Sequence, residues 1–275
     1  MNLMWVSDCI RSNVYRELGT LDHLKVVVTS VRLRHSWTSL HDAADLPIRS
    51  LCLITSAEKK EFHLYDISSL DFAQTTLYEL EISDDKCVPN ITLIQRSEQQ
   101  PYSFGILGKL TIHNLEALTT VKWMVTSPTS VFPRLTFLSL SYCTKLEHLS
   151  WAMYLPCLEK LHFRCNERMR KAFTRYHVDN VWSGQESSQI FPRLKQLRLV
   201  DCFTLVTIAD SDVTFPSLEV LHIRACKELK KLPFDMSSLP QSLKVLQMYP
   251  AESWEQLELE EGVKSFLQPN LRLSF

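Results

Sequence analysis

Glycine is scarce in this chain, five residues in 275 against twelve prolines. A backbone so poor in glycine has little material for phosphate-cradling loops or for tight hairpins. The nearest approach to a phosphate loop, "GILGKLT" (Gly105 to Thr111), has two residues between its glycines where such a loop needs four. It also has Leu110 where a Ser or Thr would hold magnesium. No CxxC pair occurs among the cysteines at 9, 52, 87, 143, 157, 165, 202 and 226, so zinc ribbons and redox dithiols have no anchor. His162 and Cys165 lie three apart with no second close pair, and no metal site is expected. No apolar run approaches the ~18 residues of a membrane helix. At the N-terminus Asp8 and Arg11 interrupt any signal-like core, so a cytoplasmic or nucleocytoplasmic protein is expected. Charge is balanced, net -1 with 22% charged residues, which leaves no overall field for nucleic acid or an anionic membrane. No GxSxG, HExxH or paired-carboxylate spacing appears. The chain therefore reads as non-enzymatic and free of cofactors, with 45% hydrophobic residues to build a core.

What is present is a repeat. An aliphatic residue, two free positions, an aliphatic, one free position and a third aliphatic recur with first positions at 21, 48, 77, 107, 135, 158, 194, 218 and 243. Successive spacings are 27, 29, 30, 28, 23, 36, 24 and 25. The LxL core alternates apolar and polar, the period of a strand buried on one face. Phe132-Pro133, Phe191-Pro192 and Phe215-Pro216 stand before three of these strands. The phenylalanines are expected to fill the broad back of each coil, and the prolines to fix φ where irregular chain enters the strand. Cys143, Cys202 and Cys226 each fall eight residues after the first leucine, and Cys165 falls seven after. There a small buried donor can satisfy backbone carbonyls of the neighbouring turn, each worth about 1–3 kcal/mol if left unpaired.

The units "FPRLTFLSLSYCTKLEHL", "FPRLKQLRLVDCFTLVTI" and "FPSLEVLHIRACKELKKLP" resemble the irregular leucine-rich repeats of plant intracellular disease-resistance proteins of the nucleotide-binding (NLR) class. The resemblance runs from about Leu18 to Tyr249 and is weak before residue 100. It implies an α/β leucine-rich-repeat solenoid of about nine repeats: a curved horseshoe with a parallel sheet on its concave face and an irregular or short helical convex side. It also implies a protein-recognition and autoregulatory module in plant defence. Partners would be a pathogen effector, a guarded host protein or the receptor's own nucleotide-binding domain. The alternative is the substrate-recruiting repeat array of an F-box ubiquitin-ligase subunit, which would need an adaptor-binding helical motif near the N-terminus. Residues 1–20 look like a truncated first unit, 21–249 like repeats, and 250–275 like a C-terminal cap of one domain spanning 1–275.

Two places are candidate contacts. The spacing of 36 puts an insertion at about 166–189, which carries Arg168, Arg170, Arg175 and Trp182; insertions in solenoids emerge as loops, often on a binding face. Free positions of the C-terminal strands gather His162, Arg164, Arg198, His222 and Arg224, with Lys160 and Lys195 beside them. Glu79, Glu81, Asp84 and Asp85 cluster toward the other end. A basic concave wall would steer an acidic protein surface. It lacks the aromatic interleaving of a single-strand nucleic-acid groove, and no nucleic acid or membrane partner is expected.

Overall fold

The computed structural model describes the strands Lys25–Thr29, Ser50–Ile54, Glu61–His63 and Asn90–Ile94, and residues 77–83, 104–124, 131–174 and 190–273. Residues 1–20, 175–189 and 84–85 lie outside them, and with them Trp182, Arg175, Asp84 and Asp85. Among the described residues one parallel sheet runs through ten strands in chain order. These are β1 (Lys25–Thr29), β2 (Ser50–Ile54), β3 (Glu79–Ser83), β4 (Lys109–His113) and β5 (Phe137–Ser141). They continue as β6 (Lys160–Asn166), β7 (Gln196–Cys202), β8 (Val220–Arg224), β9 (Val245–Tyr249) and β10 (Leu271–Leu273). From the second repeat onward each LxL core lies on its own strand, and the chain is a leucine-rich-repeat solenoid. β10 adds a strand beyond the nine read from the leucines: residues 250–270 pass through two short helices, Glu252–Glu255 and Glu261–Leu267, and return as a further coil.

Each coil is built on a common count from its first leucine. The leucines three and five further on are buried, as at Leu138 and Leu140 or Leu197 and Leu199. Eight further on come Leu115, Cys143, Asn166, Cys202 and Cys226, all inside the core. At eleven stand Leu118, Leu146, Met169, Leu205 and Leu229, and at fourteen Val121, Leu149, Ala172, Ile208 and Leu232, again buried. Before the leucine, Phe104, Phe132, Leu155, Phe191 and Phe215 take the same place three residues upstream. Their carbonyls accept the N–H of the first leucine, for example Leu107 N to Phe104 O at 3.2 Å and Leu218 N to Phe215 O at 3.2 Å. The phenylalanine rings stack from coil to coil: Phe104 on Phe132 at 5.3 Å and Phe191 on Phe215 at 5.1 Å between centroids.

Three expectations are corrected by this count. Residues 166–174 are not an insertion loop: Met169 and Ala172 keep the core register, and Lys171–Phe173 pairs in parallel with Thr207–Ala209. Any surplus therefore begins after Thr174. The return side also carries strands, not only irregular or helical chain; Glu61–His63, Asn90–Ile94 and Thr120–Met124 form a second parallel sheet. Finally, β1 pairs Val26 with Leu51 and Val28 with Leu53, so Val27, not Lys25, takes the middle place of the first LxL. A shift of two residues preserves in–out alternation, so the leucine template could not detect it.

The turns at the ends of β4 to β8 are left-handed without glycine. Asn114, Tyr142, Cys165, Asp201 and Ala225 have φ between 52° and 57°, each one residue before the buried eighth position. The N–H groups of Asn114, Tyr142 and Ala225 reach Ser141 O, Arg164 O and Tyr249 O of the next coil, at 3.0, 3.0 and 2.7 Å. Those bonds hold a conformation that costs an L-residue roughly 1–2 kcal/mol. Accordingly, Ala225→Val should destabilise the chain by about 1–2 kcal/mol, whereas Ala225→Gly should be neutral or slightly stabilising. Urea unfolding of the three proteins side by side decides it; a valine variant as stable as the parent contradicts the turn geometry.

"GILGKLT" belongs to this frame. Leu107 and Leu110 are in the core and Lys109 opens β4, its ammonium 3.6 Å from Glu79. A Cβ at Gly108 would lie 2.3 Å from the Tyr78 ring, so a larger residue there would have to displace that half-exposed side chain. Among the described residues no helix is long and apolar enough to cross a membrane, and no cluster of His, Cys, Asp or Glu could hold a metal ion.

Candidate functional site

Parallel register aligns the outward residues of neighbouring strands into rows. The middle row reads Ser139, His162, Arg198, His222 and Gln247 across β5 to β9. Two residues on, the next row reads Ser141, Arg164, Val200, Arg224 and Tyr249. Neighbouring strands lie about 4.8 Å apart. His162, Arg198 and His222, separated by up to 60 positions in the chain, are thereby brought onto one patch about 10 Å across.

The cations of this wall have different partners. Arg164 donates from Nε to Asp201 Oδ2 at 3.2 Å, and its guanidinium lies 5.5 Å from the centre of the Tyr142 ring. Arg224 lies 5.3 Å over the Tyr249 ring. Lys195 stands in the turn before β7, paired with Glu159 at 3.0 Å. Glu219 is held by Lys244 at 2.6 Å, which pulls its carboxyl below the usual range. Lys160 is exposed at the start of β6. Arg198 is half-buried, and its Nε has neither solvent nor a hydrogen-bond acceptor. His162 packs edge-on against Phe137, centroids 5.0 Å apart, and its Nε2 is likewise enclosed without a partner.

Burial and like charge push both imidazoles the same way. The His162 pKa is lowered by burial first, then by Arg198, Lys160 and His222. The His222 pKa is lowered by burial, then by Arg198 and Arg224. Near neutral pH both rings are therefore uncharged, and Arg198 carries the charge of the trio. At the opposite end of the sheet the two described acidic groups have partners: His113 Nε2 lies 2.8 Å from Glu81 Oε1, and Lys109 lies near Glu79.

Arg168 and Arg170 are exposed but sit after β6 on the return segment, apart from the wall; Val206 N and Thr207 N donate to the Arg170 carbonyl. Cys143, Cys202 and Cys226 are buried, and their thiols donate to carbonyls two residues back in their own coils: Ser141, Val200 and Arg224, at 3.7, 3.5 and 3.5 Å. Cys226 also reaches the neighbouring coil, at Leu199 O, 3.8 Å. Burial pushes the Cys143 thiol up to about 12, so it is held as a neutral donor. Cys165 is not a member of this row; it is the left-handed residue, its Sγ 3.6 Å from Asp201 Oδ2. The place belongs to Asn166, which the cysteine pattern concealed. Tyr249 is the row neighbour of Arg224, whereas Tyr142, one residue past β5, stands outside the rows that the leucine spacing marks.

No protein-family model matches the chain. A probable disease resistance protein of Arabidopsis thaliana is 31% identical over 157 residues, which is 56% of this chain and 17% of that protein. A putative disease resistance protein of the same plant is 25% identical over 241 residues, 78% of this chain and 27% of its own length. The disease resistance protein RPS5, also from Arabidopsis thaliana, is 27% identical over 139 residues, 49% of this chain and 15% of its own. The chain is thus similar to plant disease resistance proteins, and it spans about a quarter or less of the length of these relatives. Among solved structures, the leucine-rich repeat domain of the type III effector XopL superposes over 86% of this chain and 80% of that one, with a TM-score of 0.41 and 17% identity.

Proposed function

We propose that this chain is a protein-recognition module of plant defence that acts through the outward face of β6 to β9. In the finer reading it contacts a pathogen effector, a guarded host protein or a nucleotide-binding switch domain, and contributes binding rather than catalysis. The observation that carries this is the basic wall itself. A rigid sheet presents Arg164, Arg198 and Arg224 in adjoining rows, with Tyr142 and Tyr249 stacked against two of them. Arginine and tyrosine dominate the energetics of protein interfaces, because each contributes large, ordered, amphipathic area at modest entropic cost. Similarity to disease resistance proteins supports the biological setting. The buried frame leaves these positions free to change while the leucines stay, which suits a surface selected for different partners.

The test is recovery of partners from leaf tissue by the tagged chain, with Arg198→Glu/Arg224→Glu beside it. Both sites face outward, so the double variant should keep the parent's far-ultraviolet circular dichroism and lose those partners more than tenfold, as reversal of paired rim and buried charges does. Equal recovery by the two proteins, at low and at moderate salt, sinks the proposal.

A further inference from the structure

The least explained group on the wall is Arg198. Three carboxylates at the ends of the strand segments around it each hold another cation: Asp201 holds Arg164, Glu159 holds Lys195, and Glu219 holds Lys244. On the strands to either side its row neighbours are His162 and His222, and Lys160 and Arg224 lie within the same field. Ser139 and Gln247, next along the row on either side, are neutral, and beyond Gln247 the row continues to Arg272. A half-buried guanidinium with an unsatisfied Nε–H, bordered by positive or proton-accepting groups, costs free energy in the unbound chain. An anion entering between the rings would relieve it.

We propose that Arg198, flanked by His162 and His222, receives a carboxylate side chain from an acidic segment of the protein partner, and that this binding takes up protons on the two imidazoles. The inference rests on the recognition role of this face and names the chemistry of what it recognises. A guanidinium offers a forked pair of donors that matches a carboxylate. Each imidazole, once protonated, turns a ring nitrogen into a further charged donor toward the same oxygens. The sign follows from linkage. In the free chain burial and neighbouring cations keep both rings deprotonated at neutral pH, and a bound carboxylate opposes that field and raises both pKa values. Protons bind more tightly in the complex than in the free chain, so affinity rises as pH falls. One proton taken up per complex makes this about tenfold per pH unit, and two make it steeper.

The probe is an oligoglutamate peptide titrated calorimetrically into the whole chain at about pH 8 and about pH 6, on either side of the unperturbed imidazole value. Measurement in two buffers of different ionisation enthalpy counts the protons. Binding at least about tenfold tighter at the lower pH is expected, with one to two protons taken up. Arg198→Gln should weaken it more than tenfold, Arg198→Lys less, and His162→Gln or His222→Gln should each lower the proton count. In the unaltered chain the imidazole carbon–proton resonances of His162 and His222 should shift on peptide addition, a readout that depends on no variant folding. Affinity independent of pH, absence of proton uptake, still histidine resonances, or binding by Arg198→Gln equal to the parent each overturns the proposal. So does binding of a phosphoserine peptide where oligoglutamate fails. If the oligoglutamate results are negative while Arg198→Glu/Arg224→Glu still loses its leaf partners, the carboxylate site falls and recognition by this face stands.

Discussion

Replacing Asn166 with alanine is expected to destabilise the chain by about 3–5 kcal/mol, one of the two largest effects of a single substitution foreseen here. The side chain is buried and makes four hydrogen bonds. Its Nδ2 donates to Cys143 O and Leu146 O in the preceding coil, both at 2.8 Å. Its Oδ1 accepts from Arg168 N at 2.9 Å and Met169 N at 2.6 Å in its own coil. Alanine would leave Leu146 O and the N–H groups of Arg168 and Met169 without their partner, while Cys143 O keeps the Leu146 N–H at 3.1 Å. Cysteine is the informative control. In the coils that carry Cys143, Cys202 and Cys226, the eleventh residue donates instead to the backbone carbonyl of the cysteine, as Leu205 N does to Cys202 O at 3.3 Å. Asn166→Cys lets Met169 N fall back on that arrangement and should cost about half as much or less. Urea midpoints for the three proteins check the order. A cost for alanine below about 1 kcal/mol, the value of one ordinary surface-accessible bond, would show that the two coils are not tied through this residue.

Phe215→Ala should cost a similar amount, about 3–5 kcal/mol, by cavity formation and lost apolar burial. Phe215 is 2% exposed and sits between rings: Phe191 stacks on it at 5.1 Å, with Phe173 and Phe234 edge-on at 6.2 and 6.4 Å. Because each coil contacts mainly its neighbours, the damage should be local in sequence and spread to both sides. Amide hydrogen exchange is expected to accelerate in β7 and β8 first, while β4 and β5 keep their protection. Phe215→Leu retains most of the volume and should lose less than about 1.5 kcal/mol. Uniform acceleration along the whole sheet would mean that the solenoid unfolds as one unit and that the ring stack has no special place in coupling its coils.

These two residues differ in how openly the sequence displayed them. Phe215 was legible because Phe-Pro recurs at a constant distance before the leucines, and a bulky apolar residue at a repeating place has nowhere to go but the core. Asn166 was hidden because the eighth position accepts either a thiol or an amide as donor, and Cys165 beside it has the more familiar residue type. Counting from Leu158 would have pointed to 166; matching residue identity pointed to 165. The same limit applied to Arg168 and Arg170. A long spacing between leucines implied an insertion, but spacing alone does not say where in the coil the extra residues enter. Met169 and Ala172 in the core register show that they enter later.

By itself the sequence determined the class of fold and which faces are buried. Leucines alternating on short strands at intervals of 23 to 36 can bury their apolar side only by stacking on copies of themselves. It also determined which positions point outward, because a strand's period of two leaves no other choice. Only the tertiary structure decided which outward residues are free to act. Arg164 and Asp201 lie 37 positions apart, and Lys195 and Glu159 lie 36 apart; neither ion pair has a local signature. Their pairing across adjacent strands gives two of the wall's cations a carboxylate partner, whereas Arg198 stands between His162 and His222 with its Nε unpartnered. Charge composition is a property of the chain, but charge neutralisation depends on distances of a few ångströms, and those are set by the stacking of the coils.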